Sequence, residues 1–442
     1  RPRIGEIMNY EEARVYLEEA SKYGSVLGLD NMRHLMERLG NPQDSLKFIH
    51  ISGTNGKGSV LAYLSTILTE AGYRVGRYIS PTLFSYRERI QVNGERIGKE
   101  ALAKHVTAIA EAIRDMEEHH LTNPTPFEIE TALSFLYFQE KKCDLVVLET
   151  GLGGALDATN IIKTPVMEVI TPISMDHMAF LGDTLEEIAA QKAGIIKPHT
   201  KVVSGPQEDG ARKVLEKKAK EQGASLEFLD MEEVKDIHYG YEKQSFTWRD
   251  FDQVEISLAG SYQILNAALA LQAVTVLGTL GYKISRENIY TGFRKTHWRG
   301  RFTLISKEPT VIMDGAHNPG AARELEHSLK LYFSHRHIWY IFGIFRDKDY
   351  KQVIQITAPL AEHIITVQTP DNPRALPAEE LKEAVACVNP SVEAARSIDQ
   401  AVEKTLEEAK PEDVVIIFGS LSFLGEAERN VKKWKEKQDG LQ

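Results

Sequence analysis

Cysteine is nearly missing from this chain: Cys143 and Cys387 are the only two in 442 residues. Two thiols cannot build a disulfide framework or a structural zinc site, so a reducing, cytoplasmic setting is expected. Long apolar runs are also lacking. None approaches the roughly 20 residues that a membrane-spanning helix needs, and the first residues carry no apolar signal core. Basic charge is short as well. Lys and Arg number 53 against 63 Asp and Glu, a formal charge of −10, which argues against non-specific nucleic-acid binding. Small anionic substrates stay open, because they need only a locally basic pocket. No short repeat or low-complexity segment stands out. What remains is an ordinary globular composition, 42% hydrophobic and 26% charged, long enough for two domains.

The most informative stretch is 48–72. A short apolar run, Phe48-Ile49-His50-Ile51, meets the glycine-rich turn Gly53-Thr54-Asn55-Gly56-Lys57-Gly58-Ser59. A helical pattern follows, with Val60, Leu61, Leu64, Ile67, Leu68 and Ala71 on one face and Gly72 as its C-cap. Strand, glycine loop and helix together make a phosphate site. The loop turns backbone N–H groups inward, the helix N-terminus adds positive potential, and Lys57 supplies a mobile cation. Ser59 is placed to hold Mg²⁺. The usual G-x-x-x-x-G-K-[ST] spacing is altered, with Ile51 at its first glycine and Gly58 between Lys57 and Ser59.

Around this stretch the chain reads as α/β. Residues 9–40 are expected to be helical, one helix opening at 10–14 and another spanning 29–39, with a glycine-bearing loop over 23–30 that contains Leu27, Gly28, Leu29 and Asp30. A second strand, 74–79, runs into Ser80 and the loop through Ile90. Helices follow over 99–120 and 129–139, then a buried parallel strand, 144–149, that ends in Glu149. Loops at the carboxyl ends of such strands face the ligand crevice, so Ser80 and Glu149 are candidates for Mg²⁺ beside the phosphates. The next strand, 166–171, leads to Asp176-His177, and a helix over 184–193 carries Lys192. On its own residues, His177 reads as core or ligand and Lys192 as a helix-surface group. Asn266 is one polar group in an Ala/Leu-rich helix, and an adenine edge is one candidate partner. Beyond Trp298-Arg299-Gly300-Arg301-Phe302, strands over 310–313, 337–342, 363–367 and 413–418 alternate with helices over 319–332, 348–360, 377–387 and 398–409. Two domains are expected, 1–295 and 296–442.

Taken together, the motifs resemble the folylpolyglutamate synthase/dihydrofolate synthase family, a branch of the Mur-ligase-like ATP-dependent amide ligases. They are GTNGKGS (53–59), SPTLFSYRERI (80–90), PTPFE (124–128), ETGLGGALDATN (149–160), DHMAFLGDT (176–184), KAGIIKP (192–198), YQILNAALA (262–270), GRF (300–302), DGAHNPG (314–320) and RDKD (346–349). The resemblance implies an N-terminal P-loop ATPase domain with a mostly parallel sheet, a smaller Rossmann-like C-terminal α/β domain, and ATP between them. It implies ATP phosphates on Gly53, Thr54, Asn55, Gly56, Lys57, Gly58 and Ser59. Ser80, Glu149 and His177 would ligate two Mg²⁺ ions, with Lys192 carbamylated. Asn266, Arg301, Asp314 and His317 would lie at the nucleotide. Leu27, Gly28, Leu29, Asp30, Thr125, Phe127, Leu156, Asp157 and Ala158 would form the folate or pterin side. Use of K⁺ belongs to the same family resemblance. The chain departs from the family at Ala155, often Arg, and at Thr82 and Tyr262, often His.

The implied reaction adds L-glutamate to the γ-carboxyl of a folate through an acyl phosphate, by a monomeric enzyme that uses neither membrane nor nucleic acid. Lys57, Lys192 and His177 would be its catalytic groups. A close variant joins dihydropteroate to glutamate. A second reading is a nucleotide-binding or ATP-hydrolysing regulatory paralogue with a divergent substrate pocket, motivated by Ala155 and Thr82. A cell-wall peptide ligase of the same superfamily fits less well, since 80–90 and 124–128 resemble the folate branch.

Overall fold

The structure is a computed structural model that describes residues 5–23, 28–79, 84–175 and 178–441. Two compact units divide it. The first holds the chain up to residue 79 with Tyr86–Val234 and Leu265–Lys295, and the second is chiefly Lys235–Ile264 and Thr296 onward. Residues 235–264 thus group with the C-terminal part of the chain.

The first unit is built on an eight-stranded sheet. Its order is Glu95–Arg96, Ile90–Val92, Val75–Tyr78, Leu145–Glu149, Phe48–Ser52, Pro165–Ile170, Lys201–Ser204 and Ser225–Phe228. The six strands from Val75–Tyr78 onward run parallel, and an antiparallel hairpin closes the other edge. Sequence explains the layering. Phe48–Ser52 is buried at every position, as expected for a parallel strand covered on both faces. Helix Lys57–Glu70 is apolar from Val60 to Leu64 and buried from Ser59 to Ser65. It packs on helix Arg286–Lys295, where Tyr63 meets Phe293 with ring centroids 5.2 Å apart. Helix Pro126–Glu140 starts at a full capping box. Thr125 Oγ1 accepts from the Glu128 amide, the Glu128 carboxylate accepts from the Thr125 amide, and Pro126 fills the first helical position.

The second unit carries a six-stranded sheet, ordered Thr303–Lys307, Thr310–Asp314, Val414–Phe418, Ile338–Phe342, His363–Thr366 and Val392–Ala394. Only the first pair is antiparallel. Side chains alternate between two cores. Ile416 and Phe418 join Leu325 and Leu329 on one face, while Val415 and Ile417 join Val402 and Phe423 on the other. Helices therefore cover both faces, the doubly wound arrangement expected of alternating strands and helices. A three-stranded sheet, ordered Phe251–Ile256, Gln244–Trp248 and Val234–His238 with the first pair antiparallel, lies almost entirely in this unit. No helix among the described residues is long and apolar enough to cross a membrane.

Candidate phosphate and acceptor sites

In the first unit, the chain leaves the buried strand Phe48–Ser52 and turns sharply at Gly53, with φ +137°, and again at Gly56, with φ +94°. Neither conformation suits an L side chain, and neither position has room for one. A Cβ on Gly53 would lie 2.8 Å from the Thr171 amide nitrogen, and one on Gly56 would strike Asn266 Oδ1. Asn266 is therefore packed against the loop. Thr54 pins the turn to the neighbouring segment: its amide donates to Pro172 O at 3.1 Å, its hydroxyl donates to Ser174 O at 3.1 Å, and the Ser174 amide donates to that hydroxyl at 2.9 Å. Gly56 caps helix Lys57–Glu70, and the Val60 amide is already bonded to Gly56 O at 2.9 Å. The amides of Lys57, Gly58 and Ser59 so precede the first helical hydrogen bond, where a helix attracts anions.

Two lysines reach this loop. Lys57 Nζ donates to Gly53 O at 3.1 Å, and Lys192 Nζ donates to the same oxygen at 2.8 Å. Lys192, read from sequence as a helix-surface group, is only 2% exposed. It sits in the last turn of helix Leu185–Ala193, whose carbonyl at 192 accepts from Ser52 Oγ at 3.0 Å. Glu149 ends the strand next to Phe48–Ser52, in register with Ile51. That register sets its backbone beside the strand that runs into the loop. Among the described residues no group of three or more His, Cys, Asp and Glu is arranged to hold a metal. Ser80, His177 and Thr82 lie outside the described residues, as does Leu27.

The acceptor-side loop, 151–160, is held from within. Asp157 Oδ1 accepts from the Gly151 and Leu152 amides at 3.0 and 2.8 Å, and Oδ2 accepts from the Thr159 amide at 3.1 Å and its hydroxyl at 2.5 Å. Burial raises the Asp157 carboxyl above its usual range, opposed by these same hydrogen bonds. Thr159 Oγ1 also meets His50 Nε2 at 2.9 Å. Asn160 Nδ2 ties the loop to Gly194 O at 3.2 Å, next to Lys192. The Gly28 amide donates to Leu156 O at 3.2 Å, bringing two expected folate segments together. Phe127 lies over Gly151 and stacks on Tyr78 at 5.9 Å. Leu156 is exposed and Ala158 buried. Leu29 is half-buried, and Asp30 is exposed and paired with Arg33 at 3.0 Å. Thr125 and Asp157 spend their side-chain oxygens on local structure, which leaves the apolar side chains of Phe127 and Leu156 as the candidate contacts of this set.

In the second unit, Asp314 gathers its own neighbours. Its Oδ1 accepts from the Ala316 amide at 2.8 Å and its Oδ2 from the Phe302 amide at 2.9 Å, and Tyr262 adds a side-chain hydrogen bond. Burial raises the Asp314 carboxyl, and the Arg301 guanidinium opposes that shift. Burial also lifts Glu324 to about 7, with Arg301 again opposing. The Gly315 amide donates to Gly300 O at 2.8 Å, which joins the 300–302 and 314–320 loops, and His317 Nδ1 bonds Gly315 O at 2.7 Å. Sequence reading missed Glu324, Glu130 and Glu168. Glu168 interrupts the apolar run 166–170 with a carboxylate, a local signal, whereas Glu130 and Glu324 sit among other polar residues and give none.

The chain matches the family profile of the Mur ligase middle domain over residues 51–274 and that of the Mur ligase glutamate ligase domain over residues 300–421. It is 35% identical to the dihydrofolate synthase/folylpolyglutamate synthase of Bacillus subtilis, covering 96% of this chain and 99% of that protein. It is 36% identical to the folylpolyglutamate synthase of Lacticaseibacillus casei, covering 84% and 88%. Among solved structures, the Mycobacterium tuberculosis folylpolyglutamate synthase complexed with ADP and AMPPCP superposes with a TM-score of 0.85 at 29% identity, covering 95% and 98%.

Proposed function

The chain belongs to the folylpolyglutamate synthase/dihydrofolate synthase family of Mur ligases, and we propose on that footing how its residues carry out the family's reaction. It is an ATP-dependent ligase that joins L-glutamate to a folate. A purely regulatory ATP hydrolase is not favoured by relatives named as synthases over nearly the whole length of this chain.

A carboxylate does not condense with an amine at neutral pH, because oxide is no leaving group. Passing the γ-phosphoryl of ATP to the folate γ-carboxylate forms an acyl phosphate. The glutamate amine then attacks its carbonyl carbon, and phosphate leaves. Charge moves outward onto the phosphoryl oxygens in a loose transition state, so the demand on the protein is positioning and electrostatics. The loop amides at 57–59 and the Lys57 ammonium meet that demand from one side. The single observation that carries this reading is Lys57 and Lys192 converging on the Gly53 carbonyl at the start of helix Lys57–Glu70.

Glu149, Ser80 and His177 would hold Mg²⁺, which when bound neutralises phosphate charge. Glu149 fits, a carboxylate at a strand end next to the phosphate loop. Lys192 fits only once modified, because an ammonium has donors and no lone pair for a cation. Carbamylation would form an N–C bond to CO₂ and release two protons from the ammonium, leaving carboxylate-like oxygens in place of the cation. Use of K⁺ and the nucleotide roles of Asn266, Arg301, Asp314 and His317 rest on the family resemblance. So does the monomeric state. The free thiols of Cys143 and Cys387 suit a cytoplasmic enzyme.

The test offers dihydropteroate and tetrahydrofolate in parallel with ATP and L-glutamate, reading products by mass. Glutamate on tetrahydrofolate alone marks a dedicated polyglutamate synthase. Products from both mark a bifunctional enzyme in which Ala155 and Thr82 admit the pterin acid. ATP hydrolysis indifferent to folate and glutamate overturns the ligase reading.

A further inference from the structure

Three donors converge on one carboxylate behind the candidate folate wall. Glu130 lies one turn into helix Pro126–Glu140, and its side chain is 12% exposed. Tyr78 Oη donates to Glu130 Oε2 at 2.9 Å, Tyr86 Oη to Oε1 at 3.1 Å, and Arg89 Nη1 to Oε1 at 2.6 Å. The Tyr86 ring also meets two guanidiniums, Arg14 at 4.3 Å and Arg89 at 4.4 Å from its centroid. Such a buried, charge-assisted cluster is rigid, since each member fixes the others' rotamers.

Its position gives it a purpose. Tyr78 closes strand Val75–Tyr78, two residues before Ser80, and stacks on Phe127 at 5.9 Å with 26° between the rings. Phe127 in turn lies over Gly151 at the start of the acceptor loop. Arg89 and Tyr86 belong to the segment that returns from Ser80 into the edge hairpin. We propose that Glu130 is a positioning residue for folate: through Tyr78 it sets the face of Phe127, and through Tyr86 and Arg89 it anchors the far end of the 80–90 loop. Burial, followed by the Glu130 carboxylate itself, pushes both phenols well above their usual range, so they stay O–H donors throughout the working pH range. This inference rests on Phe127 being part of the folate wall.

The experiment compares Glu130→Gln and Tyr78→Phe with the wild type by steady-state kinetics, with folate and ATP varied separately. Glu130→Gln weakens the cluster while keeping side-chain shape, and Tyr78→Phe keeps the ring on Phe127 but removes its hydroxyl tether. The expected result is a folate KM raised about tenfold in Glu130→Gln and about threefold in Tyr78→Phe, with ATP KM and kcat within about twofold of wild type, as for a lost positioning hydrogen bond. Unchanged folate KM in both variants overturns the inference. So does a parallel rise in folate and ATP KM with a lowered Tm, the mark of general support. A wild type that glutamylates no pterin acceptor overturns the functional reading itself, and an active wild type with unaffected variants overturns only this inference.

Discussion

Lys57 and Lys192 both donate to the carbonyl oxygen of Gly53, at 3.1 and 2.8 Å. Two ammonium groups at one oxygen repel each other unless an anion or a change of charge relieves them. In the proposed mechanism ATP phosphate would relieve Lys57, and carbamylation would relieve Lys192. Lys57→Ala should lower turnover by at least about 10³-fold, the scale of losing a preorganised transition-state cation, with Tm within a few degrees of wild type. Measured kcat near wild type would remove Lys57 from the mechanism.

Lys192→Ala should be equally damaging, and short carboxylic acids should restore part of its activity by standing in for the carbamate. Intact-mass analysis under native conditions should find a CO₂ adduct on the wild type and none on the variant. An active, metal-loaded wild type whose Lys192 carries no adduct would sink the carbamate.

His50 and Glu168 sit opposite each other on adjacent parallel strands, and burial moves them in opposite senses on the pH axis. Burial, with Lys197 second, lowers His50 from 6.5 to about 3. Burial raises Glu168 from 4.5 to about 7, opposed by its hydrogen bonds to Thr200 and the Lys197 amide. The folded state binds fewer protons at His50, so stability falls as pH drops through 6.5 towards 3. It binds more at Glu168, so stability falls as pH rises from 4.5 towards 7. Between them the pair favours a pH near 5 to 6. Glu168→Gln should flatten the alkaline side, recovering at most about 3 kcal/mol above pH 7. Urea unfolding from pH 4 to 8 tests it, and identical pH slopes in variant and wild type would refute the account.

Asp157→Ala should cost about 2–4 kcal/mol, because three amides and a hydroxyl would lose a buried acceptor. Folate KM should rise more than ATP KM, since the loop it holds carries Leu156. A variant of normal stability would show that water replaces the carboxylate.

Gly53→Ala combines a left-handed backbone with a collision at the Thr171 amide. It should cost about 2–3 kcal/mol and depress kcat with either acceptor alike. Differential scanning calorimetry and paired assays check both parts.

Much of this was legible in the order of residues. Val414–Phe418 and Ile338–Phe342 are short unbroken apolar runs rich in β-branched and aromatic residues, as strands buried on both faces are. The phosphate loop announced itself by glycine, lysine and the following helix. The three-residue strand Val392–Ala394 and the hairpin Ile90–Arg96 gave no comparable signal, being too short for a period to show. Helix Leu421–Asp439 buries Phe423, Leu424, Ala427 and Val431, but its lysine-rich second half obscures that stripe. The grouping of 235–264 with the second unit depends on distant pairs such as Tyr332 Oη donating to Gln244 Oε1 at 2.6 Å. Lys192 looked like surface because its burial comes from Gly53, 139 positions away. Asp157 carried a folate motif, yet its carboxylate is committed to Gly151, Leu152 and Thr159, which no motif discloses.

The strand order places Leu145–Glu149, Phe48–Ser52 and Pro165–Ile170 side by side at the middle of the sheet. Each hands its carboxyl end to the phosphate machinery, so that chemistry is tied to the most interior backbone of the unit. Leu156 and Gly28, joined by one backbone hydrogen bond, lie outside these strands. If they form the folate side as proposed, substitutions there would retune which acid is accepted while the activation step stays as it is. Changing what is built thus demands less of this scaffold than changing how the bond is made.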